Sequence, residues 1–204
     1  NIDNSFDLLI YSSAVLDTNP ERQEAKDLNI EQLDYFEALG QISSEFNTIA
    51  ISGTNGKSTT TAFSGILLSN TKFDPFVVVG AAVNGFGFEK NFRKGKTNNF
   101  IVEACEYKAH MLHIDPKNII LTNIEAEHLD YYRDINHIKD TFKIYVDKLI
   151  KNNGNLIYNA DDSNTVEVAN YFDLKSNNKS FSFGIKNEAR LMAKNIRVEN
   201  EKQY

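Results

Sequence analysis

The sequence predicts an α/β fold in which a mostly parallel β-sheet is flanked by helices. Two observations favour this fold. Short β-rich runs that are apolar on both faces alternate with segments of helical periodicity, and strands of this kind need helices to cover both sides of their sheet. In addition, the stretch "AISGTNGKSTTTA", residues 50–62, places a glycine and lysine loop between a predicted strand and a predicted helix. This arrangement is typical of phosphate-binding loops.

The first elements predict a strand followed by a helix. Residues 6–11, "FDLLIY", form a short apolar run suited to a buried strand. Asn19 can cap the next helix, with Pro20 at its first position and Glu21 in its first turn. Residues 48–51 predict the strand that leads into the loop. The helix after the loop is expected to pack through four apolar residues at helical spacing: Ala62, Phe63, Ile66 and Leu67.

Further strands and one long helix follow. The β-rich runs that predict strands lie at residues 76–79, 100–102, 119–122 and 156–158. The longest helix is expected over residues 134–151, with Asp134 as its cap. Its apolar stripe consists of Ile135, Ile138, Phe142, Tyr145 and Leu149. The final segment, "RLMAKNIRVENEKQY", alternates like a strand that needs a partner.

The chain is predicted to hold two units. The segment "GQISSEFN" at residues 40–47 predicts a boundary between a small first unit and the unit that carries the loop. The chain starts with Asn1 instead of Met, reaches a predicted strand within six residues, and stops at an unpaired one. We therefore expect it to be a piece of a longer protein.

Composition restricts the classes of partner. The chain has 204 residues, of which 41% are hydrophobic and 25% charged, as in ordinary soluble globular proteins. Its net charge of -6 argues against nonspecific binding to nucleic acid or anionic lipid, and no apolar run approaches the ~20 residues that cross a bilayer. The single cysteine, Cys105, cannot form an internal disulfide and is expected to pack as a small hydrophobe. These features predict a cytoplasmic protein and leave its oligomeric state open.

The loop departs from the usual phosphate-binding pattern, because the residue five positions before Gly56 is Ile51 and the first glycine is Gly53. The physical requirements are still met. Glycines let backbone N–H groups approach phosphate oxygens, the helix N-terminus attracts anions, Lys57 can reach the terminal phosphates, and the Ser58 hydroxyl suits Mg²⁺. A glycine turn with an incidental lysine is the alternative. The residues predicted to bind nucleotide are Gly53, Thr54, Asn55, Gly56, Lys57, Ser58 and Thr59.

The loop "GTNGKSTTT" resembles the ATP loop of the Mur ligase superfamily, whose members form amide bonds at the expense of ATP. The segments "FIVEACEY" at 100–107 and "ILTNIEAEHLDYY" at 120–132 resemble two later signatures of its UDP-N-acetylmuramate:L-alanine ligase branch. "NADD" at 159–162 resembles a further motif, and "YSSAVLDTNPE" at 11–21 resembles the end of that branch's nucleotide-sugar domain. These segments follow the family order over nearly the whole chain.

The resemblance implies a reaction and a domain organisation. ATP would phosphorylate the carboxylate of UDP-N-acetylmuramate, and the amine of L-alanine would then displace phosphate from the acyl phosphate. Residues 1–45 would be the C-terminal part of a Rossmann-like nucleotide-sugar domain. Residues 46–204 would be the central P-loop-type ATP-binding domain, incomplete at its C-terminus, and a third domain would be absent. The isolated chain is expected to bind magnesium nucleotide weakly and to form no amide bonds.

Three residues are predicted to carry the chemistry. Attack of a carboxylate on a triphosphate brings two anions together, so the site needs Mg²⁺ and the Lys57 ammonium. Glu103, at the end of a buried strand, suits a magnesium ligand beside Ser58, although a solvated carboxylate at a strand end is the alternative. The resemblance implies that His128 binds a second Mg²⁺ near the acyl phosphate. Lys57 and His128 are thus the expected catalytic residues.

Other positions have weaker support. Asn123 and Glu127 either orient the metal ligands or cap a loop, and Asn123 is also a candidate substrate contact. Glu106 and Tyr107 are expected to face the sugar substrate. Two hydroxyl residues, Ser12 and Ser13, are candidates for binding the diphosphate of a UDP-sugar. The remaining histidines lack the spacing of metal ligands and are interpreted as surface or packing residues: His110, His113 and His137.

The sequence departs from the family at two positions and leaves two other functions open. The family usually has Asp at position 127, and many members of the alanine-adding branch have His at position 55. One alternative is the recycling ligase that joins UDP-N-acetylmuramate to a murein tripeptide. The other is a P-loop hydrolase or switch, which is disfavoured by the short loop and by the Glu103 and His128 segments. It is also disfavoured because no strand clearly ends in a magnesium-binding Asp.

Overall fold

The computed structural model describes residues 2–199 and 202–203. Its α-helices are α1 (Pro20–Asp27), α2 (Tyr35–Ser44), α3 (Lys57–Ser69), α4 (Ile135–Lys151) and α5 (Ser163–Ser176). A 3₁₀ segment covers Tyr107–His113. The first six strands are β1 (Leu8–Tyr11), β2 (Glu31–Asp34), β3 (Asn47–Ser52), β4 (Phe76–Val78), β5 (Phe92–Arg93) and β6 (Asn99–Glu103). The others are β7 (Asn118–Leu121), β8 (Asn155–Asn159), β9 (Ser180–Gly184), β10 (Leu191–Met192), β11 (Val198–Glu199) and β12 (Lys202–Gln203).

The predicted α/β class is confirmed. Eight strands form one sheet in the order β10-β9-β8-β7-β3-β6-β4-β5, and every neighbouring pair is parallel except β4 with β5. Strand β3 lies at the centre, with Ile51 opposite Glu103 on β6 and Ser52 opposite Leu121 on β7. The carboxyl ends of β3, β6 and β7 therefore meet at one edge of the sheet, where ligands of such folds bind.

Helix α4 buries the stripe that the sequence predicts. The side chains of Phe142, Tyr145 and Leu149 are fully buried in the larger hydrophobic core, and Ile135 packs against it. The Asp134 side chain accepts a hydrogen bond from the His137 N–H and so caps the helix. Each full side chain buried here contributes roughly 1.5–3 kcal/mol to stability. These contacts hold α4 against the sheet.

The predicted packing face of α3 is wrong. Phe63 is 61% exposed and Leu67 is 74% exposed, whereas Thr61 and Gly65 are buried. Gly65 explains the difference, because a Cβ atom at this position would lie 2.9 Å from Val77 Cγ2. The helix approaches β4 so closely that only small residues fit between them. The larger residues Phe63 and Leu67 lie on the exposed side of the helix.

The segment 40–47 is not a loop. Residues 40–44 complete α2, and both Gly40 and Ser43 are buried. A Cβ on Gly40 would lie 2.5 Å from the His113 carbonyl oxygen, so α2 packs directly on the 3₁₀ segment. The Ser43 hydroxyl also accepts a hydrogen bond from the Asp115 N–H at 2.8 Å. The division into units at residue 45 remains a prediction.

The two chain ends contain shorter strands than predicted. Strand β1 starts at Leu8, pairs with β2 in a separate parallel sheet, and has Leu8 and Ile10 exposed, contrary to the expected buried strand. Asn19 caps α1 as predicted, accepting hydrogen bonds from the next two N–H groups of the first turn. At the other end, β10 pairs with β9 and β11 pairs with β12, while residues 200, 201 and 204 lie outside the described part. Among the described residues, no helix has the length and apolar character needed to span a membrane.

Candidate functional site

The glycine loop joins the end of β3 to the start of α3 at the edge where three strands meet. Gly53 has φ +134° and Gly56 has φ +81°, conformations that favour glycine. A Cβ on Gly53 would lie 2.2 Å from Thr122 Oγ1, so this position also requires glycine for close approach. Gly56 caps α3 without any side-chain hydrogen bond. The first N–H groups of the helix are therefore not capped by a side chain and suit an anion.

The segment after β7 braces the loop. Asn55 N–H donates to Asn123 Oδ1 at 2.8 Å, and Asn123 Nδ2 donates back to the Asn55 carbonyl at 3.0 Å. Thr54 N–H donates to the Asn123 carbonyl, and Thr54 Oγ1 accepts from Glu125 N–H at 2.8 Å. Asn123, predicted as a substrate or metal-orienting residue, thus contacts the phosphate loop itself.

Lys57 points back into the loop. Its Nζ donates to the carbonyl oxygens of Gly53 and Thr54, at 2.7 and 2.8 Å, and to Glu106 Oε1 at 3.1 Å. Nζ also lies 2.8 Å from Glu106 Oε2, as an ion pair outside hydrogen-bonding geometry. The positive charge of Lys57 therefore lies against the loop, where it would stabilise the terminal phosphate of a bound nucleotide.

Glu106 lies between the loop and His128. Its side chain is only 4% exposed, and its Oε1 is 3.3 Å from His128 Nε2. The Tyr132 hydroxyl donates to the Glu106 carbonyl and fixes the backbone beneath it. The prediction that Glu106 faces the sugar differs from this placement, because the carboxylate contacts Lys57 and His128. Lys108 and Ala109 follow with positive φ, inside the 3₁₀ segment.

Ser58 and Glu103 form the predicted pair of oxygen groups. Ser58 Oγ donates to Glu103 Oε1 at 2.9 Å, and Glu103 Oε2 accepts from the Gly80 N–H at 2.6 Å. A hydroxyl and a carboxylate held side by side are the oxygen donors that Mg²⁺ prefers. These two residues therefore fit a magnesium ion next to the start of α3.

His128 joins a different group from the one that contains Ser58. One ligand atom each from Glu106, Glu127 and His128 lie within 4.8 Å of one another. His128 has φ +55°, an uncommon conformation for a residue other than glycine, and its side chain is 32% exposed. These three residues could hold a second cation. Glu127, the position at which the sequence departs from the family, belongs to this group.

Other residues singled out from the sequence have different surroundings. Ser13 Oγ donates to Asp34 Oδ2 at 2.7 Å, and Ser12 Oγ accepts from Ala14 N–H at 3.3 Å, so both participate in local contacts of the first unit. Thr59 is exposed on the first turn of α3. Cys105 is half-buried, and this burial raises the pKa of its thiol. The His110 ring stacks on Phe36 at 3.8 Å between centroids, as expected for a packing residue.

A pocket at the end of β8 and β9 was not assigned from the sequence. It has a volume of about 580 Å³. It is lined by Asn159, Asp161, Phe183, Gly184, Ile185, Leu191, Met192 and Ala193. Asn159 Nδ2 donates to the Thr122 carbonyl at 2.9 Å, and Thr122 Oγ1 donates to the Asn55 carbonyl at 2.7 Å, which connects the pocket to the phosphate loop. The motif "NADD" at 159–162 was the signal that could have located it.

Comparison with known proteins identifies the family. The Mur ligase middle domain matches residues 51–204. A UDP-N-acetylmuramate--L-alanine ligase from Borreliella afzelii is 43% identical over 198 residues, which cover 97% of this chain and 42% of the relative. The enzyme of the same name from Clostridium novyi is 44% identical over 200 residues, 95% of this chain and 41% of the relative. The chain therefore spans about two fifths of the length of these relatives.

Solved structures agree on the fold. The UDP-N-acetylmuramate-alanine ligase from Thermotoga maritima matches with a TM-score of 0.74 at 24% identity, over 97% of this chain and 43% of that one. A murein peptide ligase from Psychrobacter arcticus matches with a TM-score of 0.72 at 21% identity, over 92% and 43%. The Mur ligase middle domain matches residues 51–204, and relatives that are more than 40% identical in sequence align with nearly all of this chain. The chain therefore belongs to the Mur ligase family.

Proposed function

We propose that this chain is the ATP-binding part of a ligase that joins L-alanine to UDP-N-acetylmuramate through an acyl phosphate. The observation that carries the proposal is the arrangement of Lys57 and the Ser58–Glu103 pair at the first turn of one helix. A lysine and two magnesium-type oxygen donors at a helix N-terminus suit a bound triphosphate. The names of the relatives above 40% identity support the choice of substrates.

The nucleotide would extend along the carboxyl edge of the sheet. Its phosphates would contact the loop residues 53–59 and its base the pocket beside Asn159. That pocket adjoins β9, three strands from β3, and strands in a sheet are about 4.8 Å apart, which gives roughly 14 Å. A nucleotide can span this distance. Aromatic and aliphatic side chains such as Phe183 and Ile185 would cover the base.

Bonds and charges balance in two steps. An oxygen of the acceptor carboxylate attacks the terminal phosphorus of ATP and ADP leaves. The amine of L-alanine then attacks the acyl carbon, phosphate leaves with that carboxylate oxygen, and the proton lost by the amine goes to the released phosphate. Mg²⁺ held by Ser58 and Glu103 would supply positive charge between the two anions of the first step. Lys57 would neutralise the terminal phosphate, and His128 would orient groups at the acyl phosphate.

The acceptor has a suitable space. A cavity of about 400 Å³ adjoins Glu103, and its lining includes Tyr35, Gly80 and Cys105. A carboxylate that enters this cavity would come close to the terminal phosphate beside Ser58. We infer that residues 1–45 are the end of a nucleotide-sugar domain, whose Ser12 and Ser13 are candidate diphosphate contacts, and that residues 46–204 are the central domain. The need for ATP and the half-buried free thiol are consistent with action in the cytoplasm.

A second candidate is a ligase that joins UDP-N-acetylmuramate to a murein tripeptide. The murein peptide ligase from Psychrobacter arcticus has nearly the same TM-score as the alanine ligase from Thermotoga maritima. Both candidates need the same nucleotide site. They differ in the amine, so the amine is the variable to test.

Phosphate release by the complete protein tests the proposal. The assay contains ATP, Mg²⁺ and UDP-N-acetylmuramate, with L-alanine, murein tripeptide or no amine. We expect release with L-alanine only, and a loss of at least about 100-fold in the Lys57→Ala variant, since Lys57 would contact the reacting phosphate. Lys72→Ala, at an exposed position after α3, is the matched control. Release with tripeptide only would favour the second candidate, and release without an acceptor would refute both.

A further inference from the structure

Lys57 has no free hydrogen-bonding capacity in this structure. An ammonium group has three N–H donors, and Lys57 Nζ has three acceptors within 3.1 Å: two loop carbonyls and Glu106 Oε1. A phosphate oxygen that binds Lys57 must therefore replace one of them. This condition applies to any nucleotide that uses the loop.

Of the three acceptors of Lys57, Glu106 is the one that a phosphate oxygen can replace. The Gly53 and Thr54 carbonyls belong to a loop whose backbone is fixed by Thr54 N–H to Asn123 and by the close contact of Gly53 with Thr122. The Glu106 carboxylate, in contrast, can move by changes in its side-chain torsion angles, without movement of the backbone. A phosphate carries negative charge, so it also repels the carboxylate that Lys57 now holds.

The Glu106 carboxylate keeps unused binding capacity. Among the described residues, none donates a hydrogen bond to Glu106 Oε2, although the side chain is only 4% exposed. Its positive partner is Lys57 Nζ, 2.8 Å from Oε2, so the buried carboxylate would lose that partner if Lys57 turned to a phosphate, and a buried charge without a partner is costly. Ligand atoms of His128 and Glu127 lie within 4.8 Å of a Glu106 oxygen. A cation near these atoms would neutralise the carboxylate once Lys57 turns to phosphate.

We propose that Glu106 makes nucleotide binding conditional on a divalent cation. Without a cation, ATP must compete with Glu106 for Lys57 and leaves a buried carboxylate beside its phosphates. With a cation, the released carboxylate has a partner and the penalty disappears. Glu106 is thus a positioning residue that acts through Lys57. The inference rests on the proposed nucleotide site and adds a reason why metal-free ATP is excluded.

Equilibrium binding of ATP to the complete protein tests this coupling. The dissociation constant is measured with excess Mg²⁺ and with EDTA, for the wild type, Glu106→Gln and the control Glu188→Gln. We expect Glu106→Gln to bind metal-free ATP at least about tenfold more tightly than the wild type, because one buried negative charge is removed. The ratio of the two constants should shrink by the same factor. Glu188→Gln, which removes an exposed carboxylate outside this group, should change the ratio less than about threefold.

Two further variants keep the test decisive. Glu106→Asp retains the charge and should retain the cation dependence of the wild type. Glu106→Ala replaces Glu106→Gln if thermal unfolding shows that the amide variant does not fold, with the same expectation. Wild-type-like binding of metal-free ATP by the uncharged variant would overturn the inference. If the wild type bound no MgATP in a Lys57-dependent manner, the proposed function itself would fail, which is a distinguishable result.

Discussion

Asn55 and Asn123 hold each other through two hydrogen bonds, one in each direction between a side chain and a backbone. The Asn55 N–H donates to Asn123 Oδ1 at 2.8 Å, and Asn123 Nδ2 donates to the Asn55 carbonyl at 3.0 Å. The pair connects the phosphate loop to the segment after β7. It therefore fixes the backbone of the loop before any nucleotide arrives.

Replacing Asn123 should weaken nucleotide binding. Asn123→Ala removes both hydrogen bonds, each worth about 1 kcal/mol, so we expect MgATP affinity to fall by up to about 30-fold. Equilibrium binding to the complete protein measures the change. Asn118→Ala is the matched control, because it removes a similar amide contact, to Asn155 at 3.0 Å, at the opposite end of β7. Equal losses of affinity in the two variants would contradict a bracing role for Asn123.

Gly80 should control the geometry of Glu103, the proposed magnesium ligand. A Cβ atom at position 80 would lie 2.9 Å from both Glu103 carboxylate oxygens. We expect Gly80→Ala to raise the Mg²⁺ concentration needed for half-maximal ATP binding by about tenfold, because the carboxylate must move from Ser58. Gly85→Ala, with φ +78° and no atom near its new Cβ, should affect stability and leave the Mg²⁺ dependence unchanged. An identical Mg²⁺ requirement in both variants would count against this geometry.

Helix α3 should tolerate polar substitution where the sequence predicted burial. Leu67→Gln lies at an exposed position and should change the free energy of unfolding by less than about 0.5 kcal/mol. Gly65→Val adds atoms against Val77 and should destabilise by about 1–3 kcal/mol. Urea unfolding of the complete protein measures both. The reverse order of the two effects would mean that the helix packs through its larger residues.

Asp161 should contribute stability that depends on pH. Backbone hydrogen bonds from Asn187, Ile185 and Lys186 lower the pKa of Asp161 below its ordinary value of 3.8. A lowered pKa in the folded state stabilises above the unfolded pKa, and this contribution is lost as pH falls through the folded pKa. Asp161→Asn should therefore lower Tm at pH 7 and at pH 5.

The same variant should approach the wild type in strongly acidic solution. As pH falls below 3.8 and then through the lower pKa of Asp161 in the folded protein, the wild-type carboxylate becomes protonated, so the difference in Tm should shrink. Asp140→Asn, at an exposed position of α4, controls for the loss of one charge. A Tm difference between wild type and Asp161→Asn that stays constant from pH 7 to pH 3 would contradict the role of the three N–H groups.

Local signals in the sequence were sufficient to predict much of the fold and the Ser58–Glu103 pair of the site. Apolar runs predicted the sheet, and Glu103 was placed beside Ser58 because parallel strands end at the same edge. Asn19 and Asp134 were predicted as caps from local spacing alone, and both cap their helices. The helix caps depend on residues that are close together in the sequence, and the contact between Ser58 and Glu103 follows from the shared edge at which parallel strands end.

Other features depend on distances that periodicity does not contain. The face of α3 is set by how closely Gly65 approaches Val77. The buried Glu106 carboxylate contacts Lys57 and His128, which lie far from it in the sequence. Residues 40–44 contain glycine and serine yet are helical, because α2 is packed against the 3₁₀ segment. In each case tertiary contact overrides local propensity.

The central claim is that an acceptor carboxylate attacks ATP at this site, and transfer of oxygen tests it most directly. UDP-N-acetylmuramate labelled with ¹⁸O in its carboxylate is incubated with the complete protein, ATP, Mg²⁺ and L-alanine, and the released phosphate is examined by mass spectrometry. The account predicts one carboxylate oxygen in each phosphate released, and no labelled phosphate from Lys57→Ala. Phosphate released during turnover without the label would contradict it, because its fourth oxygen would then have come from water.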